Sequence, residues 1–456
     1  MKDQAVPETA NRIRGIVWPL LPGPPAAPLP ALLRELEKTQ WLTAEELAAG
    51  QFRQLLEVAR HAEKHSPHFR SRLQAAGLHT DDLSTLNGLQ ALPVLSRHEL
   101  QSAGDSLFCR QLPQIHAPVT EASSSGSTGR TVTVKRTAVN QLFWLAYTLR
   151  EHLWHRRNFM GELAVIRPDP AMRVLDLPDW GPPVSLLFNS GPSHALPLAT
   201  DVARQAEWLT RIDPDYLLTF PTNLAELARE FEQRDLHLGK LRQIRSIGEM
   251  LTEDVRAAAR SVFHVDIADT YSSQEAGLIA AQCPESGLYH VMAESLLVEI
   301  LGEDDRPCAL GEIGRIVITD LHNFATPLIR YDIGDYAEVG PPCSCSRGLP
   351  TLKRVVGRQR NILRLPDGRR YWPLTGSYRY RDIAPIRQYQ LIQRSLELVE
   401  VRLVADAPVT PAQEQQLTAV IHEWMGHPFR LQFVYFDGEI PRGSGGKFEE
   451  FISEVA

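Results

Sequence analysis

Three groups of residues in this sequence have types and spacings that suit chemistry. Ser123 to Lys135, SSSGSTGRTVTVK, packs serines, threonines and two glycines into one stretch. Backbone N–H groups and hydroxyls presented by such a loop suit the oxygens of a polyphosphate. No Lys-Ser or Lys-Thr follows the second glycine, so it is not a Walker loop; taken alone, a polar linker is an equal reading. Lys447 ends PRGSGGK (Pro441 to Lys447), where a compact ammonium on a glycine-rich loop could reach phosphate and carboxylate oxygens if that part of the chain closes over a site. The other reading is a solvated lysine near the end of the chain. Cys283, His290, Cys343 and Cys345, spaced C-x6-H and C-x-C, offer four soft ligands from two turns, a set that matches tetrahedral zinc. Buried unpaired thiols are the alternative, and Cys109 and Cys308 lack such company.

The elements that must position these groups follow from length and pattern. With 456 residues, two or more domains are expected. Hydrophobic residues make up 43% and charged residues 23%, which excludes a disordered, collagen-like or coiled-coil chain. A net charge of −7 without a basic block argues against a nucleic-acid surface. Five cysteines, odd in number and sparse, fit a reducing cytoplasm better than a disulfide scaffold. The apolar stretch Ile16 to Leu33 is broken by six prolines, so neither a spanning helix nor a signal peptide is expected, and the chain reads as soluble.

Residues 1 to 31 read as an irregular Pro-rich arm. Thr43 and Glu46 have capping-box spacing, and Phe52, Leu55, Leu56, Ala59 and Ala62 then mark the buried face of a helix. His61, His65 and His68, on or just beyond its end, are expected to be solvated. Short apolar runs (Leu163 to Ile166, Tyr216 to Phe220, Ile244 to Ile247, Val265 to Ala268) alternate with helical stretches at 138–155, 201–212, 222–234 and 252–262, which predicts βαβ units and a mostly parallel sheet. Segments 294–301 and 312–321 predict a further β region. After residue 360 the order becomes two strands (388–393, 397–404), a helix (411–425) and a strand (430–436), a small α+β unit.

Five further segments appear in order: SIGE (Ser246 to Glu249), YSSQE (Tyr271 to Glu275), IRYDIGD (Ile329 to Asp335), GRQRNIL (Gly357 to Leu363) and PRGSGGK. With the Ser123 loop, they resemble the adenylate-forming superfamily of acyl-CoA synthetases, luciferases and adenylation domains. HSPHFRSRLQAAGL, LQALPVLSRHEL and the pairing of CPESGLYH with CSCSRG make Phe52 to Lys447 similar to the phenylacetate-CoA ligase and CapK-like branch, in which a structural zinc goes with the Cys/His pattern.

The resemblance implies an α/β fold: a large N-terminal adenylation domain (1–357), a hinge near 358–361 and a small mobile C-terminal α+β domain (361–456). It implies attack of a carboxylate on the α-phosphorus of ATP, giving acyl-AMP, followed by displacement of AMP by CoA, with an aryl or arylacetic acid as substrate. A carrier-protein thiol, amine or hydroxyl acceptor and a non-catalytic relative are the alternatives, and the expected partners also include a second copy of the chain as a homodimer. Carried over by position, Ser124, Ser125, Gly126, Ser127, Thr128 and Gly129 would hold phosphates. Glu275 would hold Mg²⁺, Asp335 the ribose hydroxyls and Arg358 ribose or phosphate. Gly248, Glu249, Tyr271 and Ser272 would lie along the nucleotide, with Tyr271 either stacking on adenine or serving the core. Lys447 would act in adenylation and Arg360 as the hinge. Thr131, Ser272, Ser273, Gln274 and Arg360 depart from the common family pattern. The acid pocket is expected between the helix carrying Phe143, Trp144 and Tyr147 and the Tyr271 loop, with all three aromatics as candidates for core or lining. His152 and His155 on that helix are expected at the surface.

Overall fold

The computed structural model describes residues 27–124, 132–169, 171–358, 363–371, 380, 382–441, 448 and 450–455. Its first helices show how local signals set the N-terminal layer. Leu29–Thr39 is helical, so the irregular arm expected up to residue 31 gives way to a helix earlier than read. Pro28 at the helix start explains this, because a proline is tolerated where no intrahelical N–H is needed. The next helix, Ala44–His65, opens on the expected capping box, with the Glu46 N–H donating to Thr43 Oγ1 (3.2 Å) and the Thr43 N–H to Glu46 Oε2 (2.9 Å). Leu55, Val58, Ala59 and Ala62 form its buried face.

The end of this helix is not solvated as expected. The His61 ring lies 4.6 Å from that of His65 and 5.0 Å from that of Phe324, and burial pushes the His61 pKa down. A turn distant in sequence covers the histidines, and no local pattern reveals such a cover.

β1 (Val119–Ser124) and β2 (Val132–Thr137) form an antiparallel hairpin. The main sheet follows from β3 (Leu163–Arg167), β4 (Leu175–Leu177), β5 (Ser193–Pro197), β6 (Tyr216–Thr219), β7 (Gln243–Ile247), β8 (Asp266–Ser273), β9 (Gly277–Gln282), β10 (Tyr289–Val291), β11 (Leu296–Leu301), β12 (Ile313–Asp320), β13 (Tyr331–Val339) and β14 (Thr351–Arg358). Among the described residues its order is β11-β12-β13-β14-β10-β9-β8-β7-β6-β3-β5-β4. Strands β5, β3, β6, β7 and β8 run parallel, joined through helices as the alternation predicts. From β8 onward the pairing is antiparallel. The sheet is therefore mixed, and the parallel reading holds for the βαβ part alone. Helices Val202–Ile212, Pro221–Gln233 and Glu253–Phe263 supply Trp208, Leu224, Leu227, Phe231 and Phe263 to a core against that part.

A separate core belongs to the C-terminal region. After the short pair β15 (Leu363–Arg364) and β16 (Arg370–Tyr371) come β17 (Ile386–Gln393), β18 (Leu398–Ala405), helix Pro411–Met425, β19 (Arg430–Tyr435) and β20 (Phe451–Ser453). The four longer strands order as β19-β18-β17-β20. Helix residues Leu417, Ile421 and Met425 pack there with Leu391, Val401 and Phe429. The last strand was not read from sequence: β20 is only three residues long and pairs parallel with β17 from far along the chain.

Candidate active site

The phosphate-loop expectation falls on the β1–β2 hairpin. Ser124 closes β1 opposite Val132; Ser125, Gly126, Ser127, Thr128 and Gly129 lie outside the described residues. What holds the hairpin is a turn between β12 and β13. The Lys135 N–H donates to Thr326 Oγ1 (2.8 Å), and Lys135 O accepts from Asn323 Nδ2 (3.0 Å) and Thr326 Oγ1 (3.1 Å). Thr137 then caps helix Ala138–Trp154 through a capping box with Asn140. Strand β2 is thus held between that turn and the helix that follows it.

Asp335 in β13 and Arg358 at the end of β14 are register partners, so antiparallel pairing brings the two expected ribose contacts side by side. The Tyr271 hydroxyl donates to Asp335 Oδ2 at 2.7 Å. A ladder irregularity between Tyr271 and Ser272 marks where β8 leaves its regular pairing with β9. In the turn that follows, the Ala276 N–H donates to Ser273 Oγ (3.0 Å) and Glu275 is buried.

Glu275 has a partner that sequence reasoning missed. Ser96 caps helix Arg97–Ala103 by accepting the Glu99 N–H (3.1 Å), which sets Arg97 at the first helical position. Its Nη1 then lies 3.3 Å from Glu275 Oε1. The only local hint is the Ser-Arg-His-Glu order of a capped helix start. Tyr331, at the start of β13, has a buried hydroxyl with no hydrogen-bond partner among the described residues. Burial pushes its pKa up, and the nearby Glu275 charge adds to that. A buried carboxylate beside an unsatisfied hydroxyl fits a hard divalent cation, which takes a carboxylate together with phosphate oxygens.

Gly248, just after β7, has φ of +78°, and a Cβ there would stand 2.6 Å from Phe220 Cε1, so the turn excludes other residues. Glu249 Oε2 accepts from the Thr222 N–H (3.1 Å) and Oγ1 (2.7 Å) at the start of helix Pro221–Gln233. Its Oε1 accepts the Phe448 N–H at 3.4 Å, a contact to the residue after Lys447. Lys447 and Arg360 lie outside the described residues.

Beneath the site, Glu151 is shared by two buried guanidiniums: Arg157 Nη2 at 2.6 Å and Arg245 Nη2 at 2.9 Å. This ties the helix after the hairpin to β7. Burial raises the Glu151 pKa, but the two arginines outweigh it and hold the carboxyl well below its usual range. His152 and His155, expected at the surface, are buried in this network, because the helix is covered on nearly all sides. His155 Nε2 lies 3.0 Å from Gln282 O and Nδ1 3.1 Å from Gln243 Nε2, and burial takes its pKa down to about 4.

The Cys/His set converges as expected. Cys283 follows β9, His290 sits in β10, and Cys343 and Cys345 lie between β13 and β14. Their ligand atoms lie within 4.8 Å of one another, with Cys343 Sγ 3.7 Å from Cys283 Sγ and His290 Nε2 3.2 Å from Cys345 Sγ. A zinc tetrahedron with Zn–S near 2.3 Å has S···S edges of about 3.8 Å, so the donor set fits the ion. Burial opposes ionisation of Cys283, yet the His290 side chain and the Ser286 and Glu285 N–H groups bring its pKa down to about 5, as a ligand thiolate requires.

Known proteins give the family context. The CapK C-terminal domain family matches residues 377–454. The phenylacetate-coenzyme A ligase of Aromatoleum evansii is 24% identical over 350 residues, covering 75% of this chain and 76% of that protein. The Escherichia coli K12 enzyme of the same name is 24% identical over 351 residues, covering 72% and 75%. 2-Hydroxyisobutyryl-CoA ligase in the postadenylation state superposes with a TM-score of 0.72 at 16% identity, covering 92% of both chains. The fold is that of the adenylate-forming CoA ligases. The same ligase in the thioesterification state gives a TM-score of 0.60 at 17% identity. No described helix is long and apolar enough to cross a membrane.

Proposed function

We propose that this chain is an ATP-dependent acid–thiol ligase that forms an acyl-AMP and passes the acyl group to CoA, with an aryl or arylacetic acid as the first candidate substrate. The observation that carries this reading is the Tyr271–Asp335 hydrogen bond, with Arg358 opposite Asp335 in the strand register and buried Glu275 in the turn after β8. The relatives named phenylacetate-coenzyme A ligase support the same chemistry.

In the first half-reaction a carboxylate oxygen bonds to the α-phosphorus and pyrophosphate leaves; in the second the CoA sulfur bonds to the acyl carbon and AMP leaves. Two anions must meet, so neutralising charge and fixing geometry dominate the barrier. Ser124, the loop residues 125–129 and Arg358 would orient the phosphates, Asp335 the ribose, and the 248–249 and 271–272 backbone the base. Glu275 would hold Mg²⁺, which supplies charge neutralisation on the phosphates. Cys283, His290, Cys343 and Cys345 would hold a structural zinc, and a reducing cytoplasm would keep these thiols available. Residues 358–361 would be the hinge between a large domain ending near 357 and the small domain, with Arg360 turning and Lys447 delivered by closure.

The CapK C-terminal domain match favours a second reading in which the acceptor is a carrier-protein thiol, an amine or a hydroxyl. Trapping acyl-AMP with hydroxylamine across a panel of carboxylic acids, then offering CoA or candidate acceptors to the best acid, tests both. Acid-dependent hydroxamate with CoA-dependent AMP release supports the ligase; acid-dependent hydroxamate without any response to CoA supports the second acceptor. No hydroxamate from any acid contradicts both.

A further inference from the structure

Strand β2 ends with two cations whose side chains point to opposite faces. Lys135 sits over the Phe108 ring, Nζ 4.3 Å from its centroid. Arg136 turns toward the Tyr271–Glu275 loop: its Cζ is 5.9 Å from the Trp144 ring centroid, and its Nη2 is 3.0 Å from the point where a Cβ on Gly277 would stand. Trp144 Cε3 lies 3.5 Å from the same point. Of the three aromatics expected as core or pocket lining, Tyr147 is core and Phe143 stacks on His322 at 4.1 Å. Trp144 is the one that faces the loop, and Gly277, at φ +78°, leaves the space open by having no side chain.

Arg136, half-buried, differs from the buried arginines in its bonding. Arg72, Arg150, Arg157, Arg256 and Arg330 each donate to carbonyl or carboxylate oxygens. Among the described residues, no hydrogen bond or ion pair reaches the Arg136 guanidinium. Its half-buried fork of five N–H donors is therefore available to an incoming acceptor, and burial lowers the pKa of this group against the pull of Asp320 and Glu275. Those two carboxylates are otherwise engaged. Asp320 Oδ1 accepts the His322 and Asn323 N–H groups (2.9 and 3.0 Å), and Glu275 meets Arg97. A planar fork of donors laid beside an indole suits a carboxylate attached to a flat or short carbon frame.

We propose that Arg136, backed by Trp144, recognises a second anionic group on the acid, so that the preferred substrate is a dicarboxylic acid and not a simple arylacetate. This rests on the adenylating reading above and names its substrate class. The reacting carboxylate is the poorer candidate for Arg136, because a guanidinium pair would hold the lone pairs that must attack phosphorus.

Calorimetric titration of the full chain, with Mg²⁺ and a non-hydrolysable ATP analogue present, compares two matched pairs: phenylacetate with 4-carboxyphenylacetate, and benzoate with terephthalate. The wild type is expected to bind each diacid about 10- to 100-fold more tightly than its partner, the range of a charge-assisted hydrogen bond. Arg136→Gln should bring that ratio near one, and Arg136→Lys should leave it in between. Added salt should shrink the wild-type ratio, a readout that needs no variant to fold. Equal affinities in the wild type, absence of binding by both members, or a ratio that survives Arg136→Gln overturns the proposal. Because binding needs no turnover, failure to form any acyl-AMP would refute the proposed function through the trapping assay and leave this ratio to be read separately.

Discussion

The Tyr271 hydroxyl donates a 2.7 Å hydrogen bond to Asp335 Oδ2, joining the end of a parallel strand to the middle of an antiparallel one. A carboxylate held this way is oriented before any ribose arrives. Tyr271→Phe should raise the KM for ATP about three- to tenfold, the loss of one hydrogen bond, with kcat changed less. Asp335→Ala should cost far more. Pyrophosphate exchange measured against ATP concentration checks both; an unchanged KM in each variant removes the pair from nucleotide binding.

Glu275 is buried and meets Arg97 at 3.3 Å. If its carboxylate carries a cation to the phosphates, Glu275→Gln should lose about 10²-fold or more in adenylation, the scale of one electrostatic stabilising group. Exchange at the parental rate would show that Glu275 serves the fold alone.

How much of this was legible in the sequence depends on the range of the interactions. Local signals carry far: the helices expected at 138–155, 201–212, 222–234, 252–262 and 411–425 occur as Ala138–Trp154, Val202–Ile212, Pro221–Gln233, Glu253–Phe263 and Pro411–Met425, because caps and 3.6-residue periodicity are written within each segment. Long-range pairing is not written there. Nothing near Asp335 says that Arg358 lies opposite it, nothing near His152 that Trp180 packs beside it, and nothing near Arg97 that it reaches Glu275. The Cys/His group is the exception, since four soft ligands from two turns pointed to a shared metal with buried unpaired thiols as the alternative, and their ligand atoms do meet.

His155 gives stability a pH dependence of known sign. Its folded pKa, lowered to about 4 by burial first and the Arg157 charge second against the pull of Glu151, lies below the ordinary value near 6.5. The unfolded chain therefore takes up this proton first as pH falls. Stability from the neutral ring is intact above about pH 6.5 and is lost between there and pH 4, at up to about 1.4 kcal/mol per pH unit. Denaturant midpoints from pH 7.5 to 4.5 should fall less steeply in His155→Gln than in the parent; parallel curves would contradict the assignment.

The Cys283, His290, Cys343 and Cys345 set should hold one zinc per chain in protein purified without chelators. Cys343→Ser should lower both zinc content and melting temperature, since metal affinity here is folding free energy. Elemental analysis showing only traces of zinc, with an unaltered melting temperature in the variant, would leave the cluster as four buried polar side chains.

The central claim is that one chain runs two half-reactions with different needs for charge, and Lys447 tests it most directly. An ammonium required at the α-phosphate and then withdrawn as the small domain turns must give asymmetric kinetics. In Lys447→Ala, pyrophosphate exchange with the best acid should nearly vanish, while thioester formation from chemically prepared acyl-AMP and CoA should stay close to the parental rate. Equal losses in the two half-reactions, or no loss in either, would contradict the account.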